Sequence, residues 1–251
     1  MNLRKRFEAY VVAASLFALA GQMTTVVSVY AKDADKSNSV VDFSNDTVGG
    51  EPKAFAPVVG HWSITSEQDK KAFTVDGSKW KEGQPSAGLA DQARALYGER
   101  YAEFLDNVKK YSYFPLAVFK DTDDFKAGEL SVRFKPIAGH IDQGAGIVFN
   151  LQQNGDYLVI RANALENNLV LFKYEHGKRS PVKWIRNTPT STKQWHDLKI
   201  VIDGSTVKGY LDGKLYLEDQ LKTPVSGKIG LWSKADSVVH FVDFKVKPVK
   251  S

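Results

Sequence analysis

Residues 143–178, QGAGIVFNLQQNGDYLVIRANALENNLVLFKYEHGK, admit few folds. They divide into three runs of strand-forming residues, Ala145 to Gln152, Tyr157 to Asn163 and Leu169 to Tyr174, separated by Asn154-Gly155 and by Glu166-Asn167-Asn168. Asn-Gly between alternating apolar runs is a strong hairpin signal, because both residues tolerate the positive φ that a tight turn requires. The middle run alternates Leu158, Ile160 and Ala162 with Tyr157, Val159, Arg161 and Asn163. Successive strand residues point to opposite faces. The pattern therefore predicts one apolar face in a core and one mixed face turned to water or to a ligand.

The same grammar extends along the chain. Trp62 and Ile64 open a strand whose partner is Lys71 to Val75, ending at Asp76-Gly77. Pro115 to Phe119 and the alternating Gly128 to Lys135 precede the central three, with Pro136 and Gly139 expected to end the latter strand. Lys178 to Thr192 reads as a polar loop around Trp184. Trp195 to Ile202, Val207 to Leu211 and Leu215 to Leu217 form a meander through Asp203-Gly204 and Asp212-Gly213, with Trp195 packing inward and His196 half exposed. Gly227 to Ser233 and Val238 to Val246 close the system. At least ten short strands at regular spacing predict an all-β fold, a two-sheet antiparallel jelly-roll sandwich. One stretch breaks the pattern. Between Ala87 and Lys110, apolar residues at 89, 93, 96, 97, 101, 104, 105 and 108 recur at three- and four-residue spacing and predict a helical insertion, packed outside the sandwich or covering a binding face.

The N-terminus carries an address. Arg4, Lys5 and Arg6 precede an apolar run to about Val29, and Val29-Tyr30-Ala31 offers small residues for cleavage before the polar Lys32-Asp33. Residues 1–31 are thus expected to be a secretory signal peptide, 32–39 a flexible lead-in and 40–251 the jelly-roll domain. With no cysteine in 251 residues the exported chain can hold no disulfide, which fits a bacterial periplasmic or secreted protein. No membrane insertion is expected once the leader is gone. Of 34 basic and 29 acidic residues, Arg4, Lys5, Arg6 and Glu8 leave with the leader, so the mature chain keeps 31 against 28. So small a surplus, with no basic run, argues against nucleic acid as a partner.

A family likeness rests on Phe134-Lys-Pro, Gly144-Ala-Gly146, Asn154-Gly-Asp-Tyr157, Arg161-Ala-Asn-Ala-Leu-Glu-Asn-Asn168, Lys173, Gly177-Lys-Arg179, Trp195-His196, Tyr210-Leu-Asp-Gly-Lys214 and Gly227-Lys-Ile-Gly-Leu-Trp232. From Val40 to Val246 this order resembles concanavalin A-like, laminin G-like jelly rolls. Within them it is most similar to bacterial proteins with the 3-keto-disaccharide hydrolase domain, related in fold to family 16 glycoside hydrolases. That family places two catalytic glutamates and an aspartate on one strand so that alternate side chains enter the cleft. The spacing is missing here, and Asp156 and Glu166 at strand ends are the weak candidates for acid/base work.

The ligand-binding candidates lie on the concave face. Tyr157 and Trp232 would stack on a sugar ring, and Arg161, Asn163, Asn167 and Lys234 would bond its hydroxyls or charges. Equally, Arg161 could pair with Glu166 or Asp156 and Trp232 could fill one end of the sandwich. Asp142, Asp156, Glu166, Asn167, Asn168, Asp236 and Ser237 supply oxygens for calcium, although turn chemistry explains the same residues without a cofactor. The five scattered histidines make no transition-metal motif, and no Gly-x-Ser-x-Gly elbow, P-loop or dinucleotide fingerprint occurs. The expectation is an exported domain that binds a carbohydrate or glycan polymer without turning it over. The alternatives are a hydrolase or lyase acting on a modified (keto-)glycoside, and an envelope protein-interaction module.

Overall fold

A computed structural model describes residues 38–81, Leu96 and residues 114–249. Among the described residues, fifteen strands form two antiparallel sheets. They are β1 (Ser39–Val41), β2 (Phe55–Val59), β3 (Trp62–Glu67), β4 (Lys70–Asp76), β5 (Leu116–Phe119), β6 (Gly128–Ala138), β7 (Gly144–Leu151), β8 (Tyr157–Asn163), β9 (Asn168–Glu175), β10 (Lys178–Arg186), β11 (His196–Asp203), β12 (Thr206–Leu211), β13 (Lys214–Gln220), β14 (Lys228–Ser233) and β15 (Val238–Pro248). One sheet runs β13-β12-β11-β6-β15-β4-β3, with β1 also on β15; the other runs β10-β9-β8-β7-β14-β5-β2. The predicted sandwich is present. The final pair divides, β14 entering one sheet and β15 the other.

Alternation explains the packing. β6 reads buried at Leu130, Val132 and Phe134 and half-buried between them, as a strand with one face inward must. Its inward residues meet Ile147, Ile160, Leu171, Leu198, Ile200 and Leu217 in one core between the sheets. Gly209 on β12 admits the Ile160 side chain of the facing sheet, whose methyl would lie 3.2 Å from any added Cβ. At the other end the core is aromatic. Phe43, Phe55, Phe73, Phe119 and Phe244 pack at centroid distances such as 5.1 Å for Phe55–Phe244, edge to face.

Several turns follow from their sequences. Asp212-Gly213 joins β12 to β13 with φ of 50° and 79°, the mirror-image turn that matches strand twist. His176-Gly177 joins β9 to β10 in the same way, with φ of 48° and 78°. Asn154-Gly155 does link β7 to β8, in a longer loop closed by Gln152 N donating to Asp156 O at 2.8 Å.

Four expectations are corrected. Lys178 to Thr192 is no loop in its first half, because the His176-Gly177 turn delivers Lys178–Arg186 to β9 as an edge strand. β6 does not stop before Pro136 but runs to Ala138. His196, not Trp195, is the buried member of its pair: its ring lies 5.5 Å from Phe134 and its Nδ1 sits 2.8 Å from Asp212 Oδ2. Trp195 instead receives Arg133 and Lys135, 5.5 and 5.7 Å from its ring centre. Finally, β8 is buried along its whole length, on both faces.

The helical insertion expected over 87–110 lies outside the described residues except for Leu96, which is helical and packs on the outer face of the second sheet. Residues 1–31, expected to be a signal peptide, and residues 32–37 lie outside them as well, while Ser39 already belongs to β1. Among the described residues no helix is long and apolar enough to cross a membrane.

Candidate functional site

The outer face of the second sheet is organised by one row of opposed residues. Leu116, Trp232, Gly146, Arg161, Val170 and Trp184 lie side by side across six strands, from β5 through β14, β7, β8 and β9 to β10. Two tryptophans therefore bracket Arg161. Gly146 leaves the space: a Cβ there would meet Val159 Cγ2 at 2.9 Å and Arg161 Cβ at 3.0 Å.

One half of this face is a second hydrophobic core. Trp232 is fully buried and stacks against Phe114, with centroids 5.5 Å apart and planes at 18°. Its Nε1 donates to Tyr157 Oη at 3.2 Å, and Tyr157 stacks on Tyr174 at 4.3 Å. Burial pushes the Tyr174 phenol well above its ordinary range, with the nearby Arg179 guanidinium pulling the other way. The plates expected of Tyr157 and Trp232 are already occupied by protein rings.

The other half is polar. Asn163 ends β8 and accepts a bond from Leu165 N at 2.9 Å, which starts the turn through Asn167 at φ 47°. That turn folds Glu166 back under β8. Arg161, 1% exposed, donates Nη2 to Glu166 Oε2 at 2.8 Å and Nη1 to Asn168 Oδ1 at 2.5 Å, and Asn168 Nδ2 donates to the same carboxylate at 2.8 Å. Of the two readings open for Arg161, the ion pair with Glu166 is the one present. Burial by itself would raise the Glu166 carboxyl, but the bonds from Asn168 and Arg161 outweigh it and hold the group below the usual range. Beside this triad Asn163 Nδ2 donates to Asp142 Oδ1, and Lys234 Nζ pairs with Asp142 Oδ2. Asp142 is wholly buried, and that burial pushes its carboxyl up against the opposing pull of Lys234 and Arg161. Asp236 fixes the approach, accepting backbone N–H bonds from His140, Ile141 and Asp142 at 2.6 to 3.1 Å.

The remaining candidates separate. Asn167 is exposed in its turn and spends its side-chain oxygen on Thr190 N at 3.2 Å. Asp156 sits at the opposite end of β8, held by Asn154 Nδ2 at 3.0 Å and His176 N at 2.9 Å. Asp156 precedes β8 whereas the Glu166 carboxylate is drawn back to Arg161, five positions on, so roughly 16 Å of strand lies between them, beyond the spacing of paired glycosidase carboxylates. Among the described residues no three His, Asp or Glu side chains converge as a metal ion requires, and the oxygens proposed for calcium are bonded to protein donors.

What the sequence reading missed is β10. A bulge at Val182 turns Arg179, Pro181, Trp184 and Arg186 to the outer face, opposite Tyr174, Phe172, Val170 and Asn168. Trp184 is 43% exposed, its ring 5.9 Å from the Arg161 guanidinium and edge-on to Phe172 at 5.7 Å. The His176-Gly177 pair, a turn dipeptide ahead of a run holding Val182, Trp184 and Ile185, was the signal available.

No family model and no curated protein matches the chain. Solved structures do. The chain is similar to a carbohydrate-binding module of Bacillus subtilis (TM-score 0.54, 15% identity, covering 77% of this chain and 96% of that one). It is also similar to a lichenase derived from a mouse hindgut metagenome (0.52, 12%, 85% and 100%) and to a β-glucanase of Bacillus licheniformis (0.50, 11%, 83% and 97%). At these identities the likeness establishes the fold alone, a jelly-roll β-sandwich.

Proposed function

We propose that this chain is an exported, non-catalytic carbohydrate-binding domain that holds a glycan along β8–β10, on the outer face of the second sheet. The observation that carries the reading is Trp184, a half-exposed ring beside the fixed Arg161–Glu166–Asn168 network. Sugars bind where an aromatic plate meets their C–H face and directional polar groups meet their hydroxyls. The plate is Trp184, and the polar groups open to a ligand beside it are the half-exposed carboxylate of Glu166, held in place by Arg161 and Asn168, and the exposed Arg186 of the same strand. The likeness in fold to a carbohydrate-binding module and to glucanases supports the same reading.

Glu166 is unsuited to the general-acid role of a hydrolase. A general acid must hold a proton near working pH, whereas Asn168 and Arg161 keep this carboxyl ionised. The resemblance to 3-keto-disaccharide hydrolase domains defines the competing reading, a hydrolase or lyase for modified glycosides. Export rests on the N-terminal segment alone, and bacterial expression of the full chain followed by N-terminal sequencing of the periplasmic and medium fractions tests it: the mature chain should begin at Lys32.

The function is tested by titrating the chain from Lys32 against a glycan array and repeating the hits with Trp184→Ala. Binding lost in the variant, with no new reducing ends released by the native protein, is the expected result. Release of product would favour the hydrolase, and binding indifferent to Trp184 would remove this site.

A further inference from the structure

The edge strand carries more charge than a neutral sugar needs. Residues 178–186, KRSPVKWIR, hold four cations and no carboxylate, and every residue except Ile185 is exposed. The register divides these cations by face. Lys178 and Lys183 stand opposite Glu175 and Leu171, on the side of the inter-sheet core. Arg179 and Arg186 stand opposite Tyr174 and Asn168, on the side of Trp184. Among the described residues neither arginine forms an ion pair, whereas Arg161 and Lys234 on the same face are neutralised by Glu166 and Asp142. Arg179 is held in place nonetheless, its guanidinium 4.8 Å from the Phe172 ring centre and 5.2 Å from that of Phe114.

Resting on the glycan-binding reading of this face, we infer that Arg179 and Arg186, flanking Trp184, make β10 selective for polysaccharides bearing carboxylates, that is, uronic acid polymers. The two arginines are seven residues apart, roughly 20 Å of strand, so they meet a chain and not a single sugar. A planar guanidinium fork matches a carboxylate in two parallel bonds, which a lysine cannot do. Protection of an exposed edge explains charge and Pro181 but not this division, since lysine on either face would serve. A nucleic acid would want several aromatic platforms, and this strand presents one exposed ring.

The test compares the chain from Lys32 with its Arg179→Gln/Arg186→Gln variant by calorimetry and affinity electrophoresis on four probes. These are polygalacturonate, a neutral β-glucan, dextran sulfate and a single-stranded oligonucleotide. Polygalacturonate is expected to bind at least tenfold more tightly than the neutral glucan, to weaken with salt, and to lose about tenfold in the variant. Arg186→Lys, which keeps the charge without the fork, should lose part of that preference. Equal binding of polygalacturonate to both proteins overturns the inference. So does binding of dextran sulfate or the oligonucleotide as tight as that of polygalacturonate. Trp184-dependent binding of the neutral glucan without any uronate preference would sink this inference and leave the glycan site standing, whereas no binding of any glycan would remove both. Should the double variant unfold, Arg186→Lys and the salt dependence of the native protein decide alone.

Discussion

Asp142 lies wholly inside the protein with its carboxylate against the ammonium of Lys234, ninety-two positions away in the chain. Burial holds its carboxyl above the ordinary 3.8, with Lys234 opposing. Removing the ammonium by Lys234→Met leaves a buried charge uncompensated, which should cost about 3–5 kcal/mol at neutral pH. A folded-state pKa above the unfolded one means that the fold takes up protons as pH falls. The deficit of the variant should therefore shrink as pH drops through the raised value. Urea unfolding of both proteins between neutral pH and the carboxylate range checks this, and a deficit that stays constant would contradict it.

Glu67 gives the opposite slope. Lys135 Nζ, at 2.7 Å, holds its carboxyl below the ordinary 4.5 against the cost of burial, and His240 Nδ1, at 2.6 Å, adds to the effect. A depressed carboxylate stabilises the fold above its unfolded pKa and loses that contribution as pH falls through the folded one. Glu67→Gln should be destabilised by about 1–3 kcal/mol at neutral pH and should match the native protein in acid. Midpoints recorded across pH for both proteins would reveal parallel curves if this account were wrong.

The two tryptophans of the central row should behave differently. Trp232→Ala removes a fully buried ring that stacks on Phe114 and should cost about 3–5 kcal/mol. Trp184→Ala, at the exposed edge, should cost less than about 1 kcal/mol and abolish glycan binding. Denaturant midpoints together with one binding titration separate the two roles.

Arg161→Ala should destabilise and not merely weaken binding. It leaves the buried Asn168 amide oxygen unpaired while the half-exposed Glu166 can turn to water, a loss of about 1–3 kcal/mol by the usual cost of an unsatisfied buried polar group. Thermal unfolding before any binding assay decides how its phenotype is interpreted.

The helix-like spacing of residues 87–110 and the alternation of Tyr157–Asn163 are equally clear patterns, yet the mixed face of β8 that alternation turned to water or a ligand is buried. Leu158, Ile160 and Ala162 went to the core between the sheets as expected. Tyr157 and Val159 entered a second core, because Phe114 and Leu96, far away in sequence, pack over that side. Local pattern encodes which residues share a face and not what arrives to bury it. Trp184 was overlooked for a related reason: four cations, a serine and a proline interrupt the apolar residues of β10, and only pairing with β9 makes it a strand.

The sequence by itself determined the all-β class, most strand positions and the tight turns, since alternation and positive-φ dipeptides are local properties of the chain. The tertiary structure alone decided which polar residues are structural and which are offered to solvent. Arg161, Asn163 and Lys234 acquire buried carboxylate or amide partners, and Trp184 stays at an open edge. Desolvation is set by neighbours brought from distant strands, and no window of sequence contains them.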